Sequence, residues 1–140
     1  MKIFRRVMPA AALLFFAAAC SDITGDAGAR VAGLTIEDGS GNVVASVSGS
    51  SVSGSVTVAS GSERDLYVVL RDANGAEVNP GIASLIRVTV TNTQVAGWSD
   101  LGGGAGTLEG RADGTTTLRV DLLSAGVASY TSPAITVTVT

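Results

Sequence analysis

The chain has no histidine, one lysine (Lys2) and one cysteine (Cys20). These absences remove whole classes of chemistry. A Ser-His-Asp triad cannot be assembled, and beyond Cys20 there is no cysteine nucleophile, Schiff-base lysine or phosphate-loop lysine. A zinc site built on His or Cys is excluded, as is a disulfide within one chain. Aromatic residues are only 4% of the chain, so few rings are available to stack on a ligand. The main apolar run, from Val7 to Ala19 and interrupted by Pro9, falls short of the roughly 20 residues that span a bilayer core. Basic residues are scarce as well. Lys2, Arg5 and Arg6 precede Cys20, leaving six arginines after it against all twelve acids. An acidic surface without lysine lacks the basic patch that phosphate contacts need, so nucleic acid is not an expected partner.

What is present first is an address. Met1-Lys2-Ile3-Phe4-Arg5-Arg6 is a basic start, an apolar middle follows, and Ala17-Ala18-Ala19 supplies small residues at the end. These are the three parts of a secretory signal peptide, so residues 1–19 are expected to be cleaved. Ala18-Ala19-Cys20 resembles the lipobox of bacterial lipoproteins, with Ala17 where leucine is commonest. That resemblance implies cleavage before Cys20, a diacylglyceryl group on its thiol and an acyl chain, such as palmitate, on its amine. One acyl chain binds a membrane only marginally, whereas two or three hold a protein there. Ordinary cleavage after Ala19 would instead leave a free terminal thiol. Ser21, in place of aspartate, resembles lipoproteins sorted to the outer membrane of Gram-negative cells. The expected location is therefore the cell envelope, with the membrane a partner through lipidated Cys20, and the outer membrane if the source is Gram-negative. Residues 20–30 are small and polar and read as a tether. Ten flexible residues have a typical span of about 17–19 Å.

From residue 31 to residue 140 the pattern is period two. Leu34 and Ile36, Val43 to Val47, Val56 and Val58, Leu66-Val68-Leu70, Ile86-Val88-Val90, Thr107 to Arg111, Leu118-Val120-Leu122 and Ile135-Val137-Val139 predict strands. A short strand is expected around Glu77-Val78. Asp38 to Asn42, Asp72 to Gly75 and Asp113-Gly114 are turn chemistry. Ser48 to Ser53, Leu101 to Gly106 and Ser124 to Ser132 read as loops, and Pro80 bars a central-strand ladder. Gly61 to Leu70 echoes Gly114 to Leu122, one turn-then-strand solution used twice. Eight or nine short antiparallel strands with regular turns predict an all-β sandwich with one face of each sheet buried.

From Asp65 onward the chain resembles bacterial immunoglobulin-like domains of the group 2 type. Asp72-Ala73-Asn74-Gly75, then Asn92 to Ala96, then Gly106 to Val120, then Ile135 to Val139 follow that family's order of motifs. Val88 stands where the family carries a tryptophan, and Trp98 comes later. The resemblance implies an immunoglobulin-like β-sandwich of 7–9 strands. It also implies adhesion, partner or glycan binding, or a spacer role, and the fold does not choose among these.

Candidate sites are few. Trp98, beside the Gly-rich loop, and Tyr130, in the other long loop, are the possible ligand contacts, as a sugar-stacking platform; a large aromatic in a small sandwich is more often core or rim packing. Asp38, Asn42, Asp72, Asn74 and Glu77 offer oxygens that calcium prefers, but turn chemistry alone explains them and no metal site is expected. Asp100, Glu109, Asp113 and Asp121 could pair as glycosidase carboxylates only across a cleft that a chain this short leaves little room for. No catalytic residue and no cofactor is expected. The expected function is a non-enzymatic binding or adhesion module, with a structural accessory docking to an envelope complex as the alternative.

Overall fold

The computed structural model describes residues 30–140, so the leader, Cys20 and most of the tether lie outside the described residues. Eleven strands follow in chain order: β1 (Gly33–Asp38), β2 (Val43–Ser48), β3 (Ser51–Gly54), β4 (Val56–Val58), β5 (Glu63–Arg71) and β6 (Ser84–Val90). Then come β7 (Ala96–Gly102), β8 (Ala105–Gly110), β9 (Gly114–Ser124), β10 (Val127–Thr131) and β11 (Ile135–Val139). They form two sheets. The first runs β3-β2-β1-β5-β8-β7. The second is centred on β9. Leu118 pairs with both Val90 and Ile135, and Leu122 with both Ile86 and Tyr130, so β6 lies on one side of β9 and β10 then β11 on the other. β4 lies beyond β11.

The alternation in sequence becomes the core. Leu34, Ile36, Leu66, Leu70 and Leu108 from the first sheet face Val56, Leu118, Val120, Ile135 and Val137 from the second, all at most 2% exposed. Full burial of such a side chain contributes about 1.5–3 kcal/mol. The two echoed segments became β5 and β9, one at the heart of each sheet. Each turn-then-strand copy thus supplies a central buried row, Leu66-Val68-Leu70 and Leu118-Val120-Leu122.

Two stretches read as loops are strands, and a third strand covers Ala96–Gly102, to which the sequence reading assigns no strand. Ser51–Gly54 pairs with β2, Ala96–Gly102 with β8, and Val127–Thr131 with β9. All three are edge strands, paired on one side only, and two of them carry little apolar alternation because they bury little. Tight turns hold them in place: Gly49, Gly103 and Gly126 all take positive φ, where a side chain would be strained. The Leu101–Gly106 loop therefore shrinks to a hairpin tip. The expected strand at Glu77 is a single bridge to Arg71, and the chain then leaves the sheet toward Pro80. The strands are antiparallel except one pair: β4 runs parallel to β11. The chain crosses from sheet to sheet between Gly54 and Val56, so β4 meets its neighbour without a hairpin to set an antiparallel direction.

Candidate functional site

The turn acids are occupied by their own backbone. Asp38 Oδ1 accepts from the amides of Ser40 (2.9 Å) and Asn42 (3.0 Å), and Asp72 Oδ1 from those of Asn74 (2.8 Å) and Ala76 (2.9 Å). Among the described residues no group of three or more His, Cys, Asp or Glu could hold a metal ion. The candidate catalytic carboxylates are dispersed as well. Glu109 pairs with Arg111 at 2.8 Å, Asp100 accepts from the Gly102 amide, and Asp121 takes Arg87 at 2.7 Å and Thr131 at 2.8 Å.

These contacts set an acid dependence. Arg87 first, and Thr131 second, hold the Asp121 carboxyl below its ordinary range; the Asn42 amide, then the Asn42 side chain, do the same for Asp38. A carboxylate with a lowered folded pKa stabilises above its unfolded value of 3.8 and loses that contribution as pH falls through the folded value. Thermal melts should therefore show the midpoint dropping below about pH 4. Asp121→Asn should flatten that drop while lowering stability at pH 7 by about 0.2–1 kcal/mol, the worth of a partly exposed pair. An acid limb unchanged in the variant would rule out this role for Asp121.

Both aromatic candidates turn inward, on different sheets. Trp98 pairs with Leu108 across β7 and β8, so its ring shares the core side with that buried leucine. A Cβ placed on Gly106 would meet the indole, so the ring covers that glycine. Tyr130 pairs with Leu122 at the centre of one inner row, with Ile86 on its far side. The two rings do not form one stacking platform, because β7 and β10 belong to opposite layers. Each ends in a buried polar atom without a partner: the Trp98 indole N–H and the Tyr130 hydroxyl.

Tyr130 is part of the lining of a concavity. A cleft of ≈ 480 Å³ opens between the layers at the end where the chain enters the domain, lined among others by Arg30, Asn79, Ser84, Ser124, Ser129 and Tyr130. Trp98 lines neither this cleft nor two smaller ones of ≈ 380 and ≈ 180 Å³. Burial raises the Tyr130 pKa, so its hydroxyl stays a neutral donor. The cleft's other residues were missed in sequence because they lie on segments far apart in the chain. The visible signal was the irregular Asn79-Pro80-Gly81 run, which leaves the first sheet and forms one wall. Arg30, the serines, the asparagine and a phenol make a hydrogen-bonding pocket with one ring. It can hold a polar ligand, and it has no nucleophile–base pair.

These features define a two-sheet all-β module with a small polar cleft. No family model matches the chain, and no curated protein matches it. Among solved structures it is similar to a fragment of the S-layer protein SbsC holding domains 5–6, with 24% identity and a TM-score of 0.48 over 63% of this chain. It spans 40% of that fragment's length. It is also similar to a fragment holding domains 4 and 5, with 19% identity and a TM-score of 0.47, covering 84% of this chain and 80% of that one.

Proposed function

We propose that this chain is a lipid-anchored, non-enzymatic binding module of the bacterial cell envelope, held by Cys20 and binding through the cleft around Tyr130. The observation that carries the reading is Tyr130, which lines that cleft and whose hydroxyl is buried without a partner. An orphaned buried donor costs about 1–3 kcal/mol, and a ligand acceptor that reached it on a shift of the ring would relieve that cost. The ligand is a glycan or a protein segment offering acceptors to Arg30, Asn79 and the cleft serines. The cleft's place at the tethered end favours a ligand met at the membrane over adhesion to a distant surface.

Two linked experiments test this. Mass spectrometry of the mature N-terminus should find residue 20 first, carrying a diacylglyceryl group and an acyl chain, and Cys20→Ala should leave the membrane fraction. Wild-type protein as freely released as the variant would sink the anchor. Glycan and peptide arrays should then give hits that Tyr130→Phe weakens about tenfold, while the same change leaves the melting midpoint level or slightly raised. Hits indifferent to Tyr130→Phe would place binding elsewhere.

The accessory reading has one observation in its favour. β3 is an open edge with all four residues exposed, and no charged residue occurs from Gly39 to Ser62. Uncharged edges accept added strands. The edge of β4, by contrast, is covered where Arg64 donates to the Thr57 carbonyl at 2.8 Å. Crosslinking to a protein through β3, surviving Tyr130→Phe, would favour this alternative.

A further inference from the structure

The end of the domain from which the chain runs toward Cys20 differs from the rest of its surface. Arg30 and Val31 share the cleft with Ser84, Leu122 and Ser124, so the loop before β6 and the β9–β10 hairpin lie at that same end. Three large apolar side chains are outside here, against Val43 at 55% beside the hairpin of the opposite end. Ile82 is fully exposed at 109% relative accessibility, Val127 is at 71% and Leu85 at 53%. Leu85 pairs with Leu123, and Leu123 with Ala128, so these three form a row on the outer face of the second sheet. Exposed apolar residues scattered singly need no explanation; a group of them at one end of a small domain does.

Charge is also sparse on the second-sheet side of this end. No charged residue occurs from Val78 to Ile86 or from Leu122 to Thr140, in a chain whose acids outnumber its bases. The first charges met along β6 and β9 are Arg87 and Asp121, which neutralise each other at 2.7 Å. Arg30 is the one charged residue in the cleft lining, and it is cationic. The opposite end carries Asp38, Glu63, Glu109 and Asp113 beside the β1–β2 hairpin and the turn into β9. The second-sheet side of the tethered end is thus apolar and uncharged, while Asp72 and Glu77, beside Arg71 and the start of β1, keep charge on its first-sheet side.

We propose that this rim rests on the lipid surface, with Ile82, Leu85 and Val127 entering the headgroup region and the acidic end pointing away. The inference rests on lipidation of Cys20. A flexible ten-residue tether would have a typical span of about 17–19 Å, so an anchor at Cys20 would make the contact an intramolecular event at high effective concentration. Apolar side chains gain by leaving water there, while burying any of the acids would cost far more. The cleft then opens at the bilayer surface, and its ligand is encountered there.

The test uses the lipidated full chain. Its sole cysteine is consumed by the lipid, so Ile82→Cys or Ser40→Cys gives one free thiol for a polarity-sensitive dye. Ser40 is exposed in the turn at the far end and serves as the control. Each labelled protein is floated with phosphatidylcholine vesicles and titrated with a water-soluble quencher. The dye at position 82 should shift to the blue and lose quenching several-fold, while the dye at position 40 stays as in water. Equal quenching at both positions on protein that floats would overturn the rim contact and leave the anchor standing. Protein that does not float would overturn the anchor, and the rim contact with it.

Discussion

Deleting residues 135–140 should abolish the cooperative unfolding transition, the largest effect of any change considered for this fold. β11 contributes Ile135, Val137 and Val139, all at most 2% exposed. Burying three such side chains contributes about 5–9 kcal/mol at about 1.5–3 each, against a total stability of about 5–15 kcal/mol for a typical domain. The loss is also topological. β11 pairs with β9 on one side and with β4 on the other, and Thr140 accepts from Ser60 at 2.8 Å. Without it β4 has no partner in its sheet, and the lower half of β9 becomes an open edge. Val137→Asp tests the same point at constant length, since it puts a charge at a 0% exposed position with no cation among its β9 and β4 partners. Thr136→Ala, on the outward face, should stay within about 1 kcal/mol of wild type. A truncated chain that still melts sharply, within a few degrees of wild type, would mean that the sandwich closes without this strand.

The buried rows were legible because each strand with a core face repeats apolar residues at period two. Leu66-Val68-Leu70 and Leu118-Val120-Leu122 could be read directly, and both became central strands. The edges were not legible, for a physical reason. β3 is Ser-Val-Ser-Gly and buries nothing, so its sequence carries no trace of a core face. Its strand state comes from the Gly49 turn and from pairing with β2. The parallel β4–β11 pair was invisible because strand direction depends on where a chain changes layers, a long-range property. The cleft was hidden likewise. Its walls come from residues near 30, 80, 122 and 130, which no local window unites. Tyr130 was singled out only for being one of the few aromatics, and its row beside Leu122 explains why it faces inward. Charge depletion was in plain view along 78–86 and 122–140, but its meaning required knowing that 78–86 and the β9–β10 hairpin meet at the tethered end.

Trp98 and Gly106 should be strongly coupled, and the coupling decides what Trp98 is for. The indole covers Gly106 from the neighbouring strand, one rung diagonal to its own partner Leu108. Such a ring shields a backbone that glycine leaves bare in an otherwise weak strand. Trp98→Ala should cost about 3 kcal/mol, the low end for an aromatic truncation, since the ring is only partly covered. Gly106→Ala should cost about 1–3 kcal/mol, because the new methyl meets the indole and stands 2.8 Å from the Ser99 carbonyl. With the indole gone, the two nearest of those contacts are removed and the carbonyl contact stays. The double variant should therefore be more stable than the sum of the single losses predicts, by about 0.5–3 kcal/mol. Trp98→Phe separates packing from the orphaned indole N–H. It keeps a ring over Gly106 and removes a donor that has no acceptor, so it should cost much less than alanine. Denaturant melts of the four-member cycle measure all of this. Additivity within about 0.3–0.5 kcal/mol would show that the ring is not committed to Gly106. Trp98 would then be free to serve as a ligand contact after all, separate from the cleft around Tyr130.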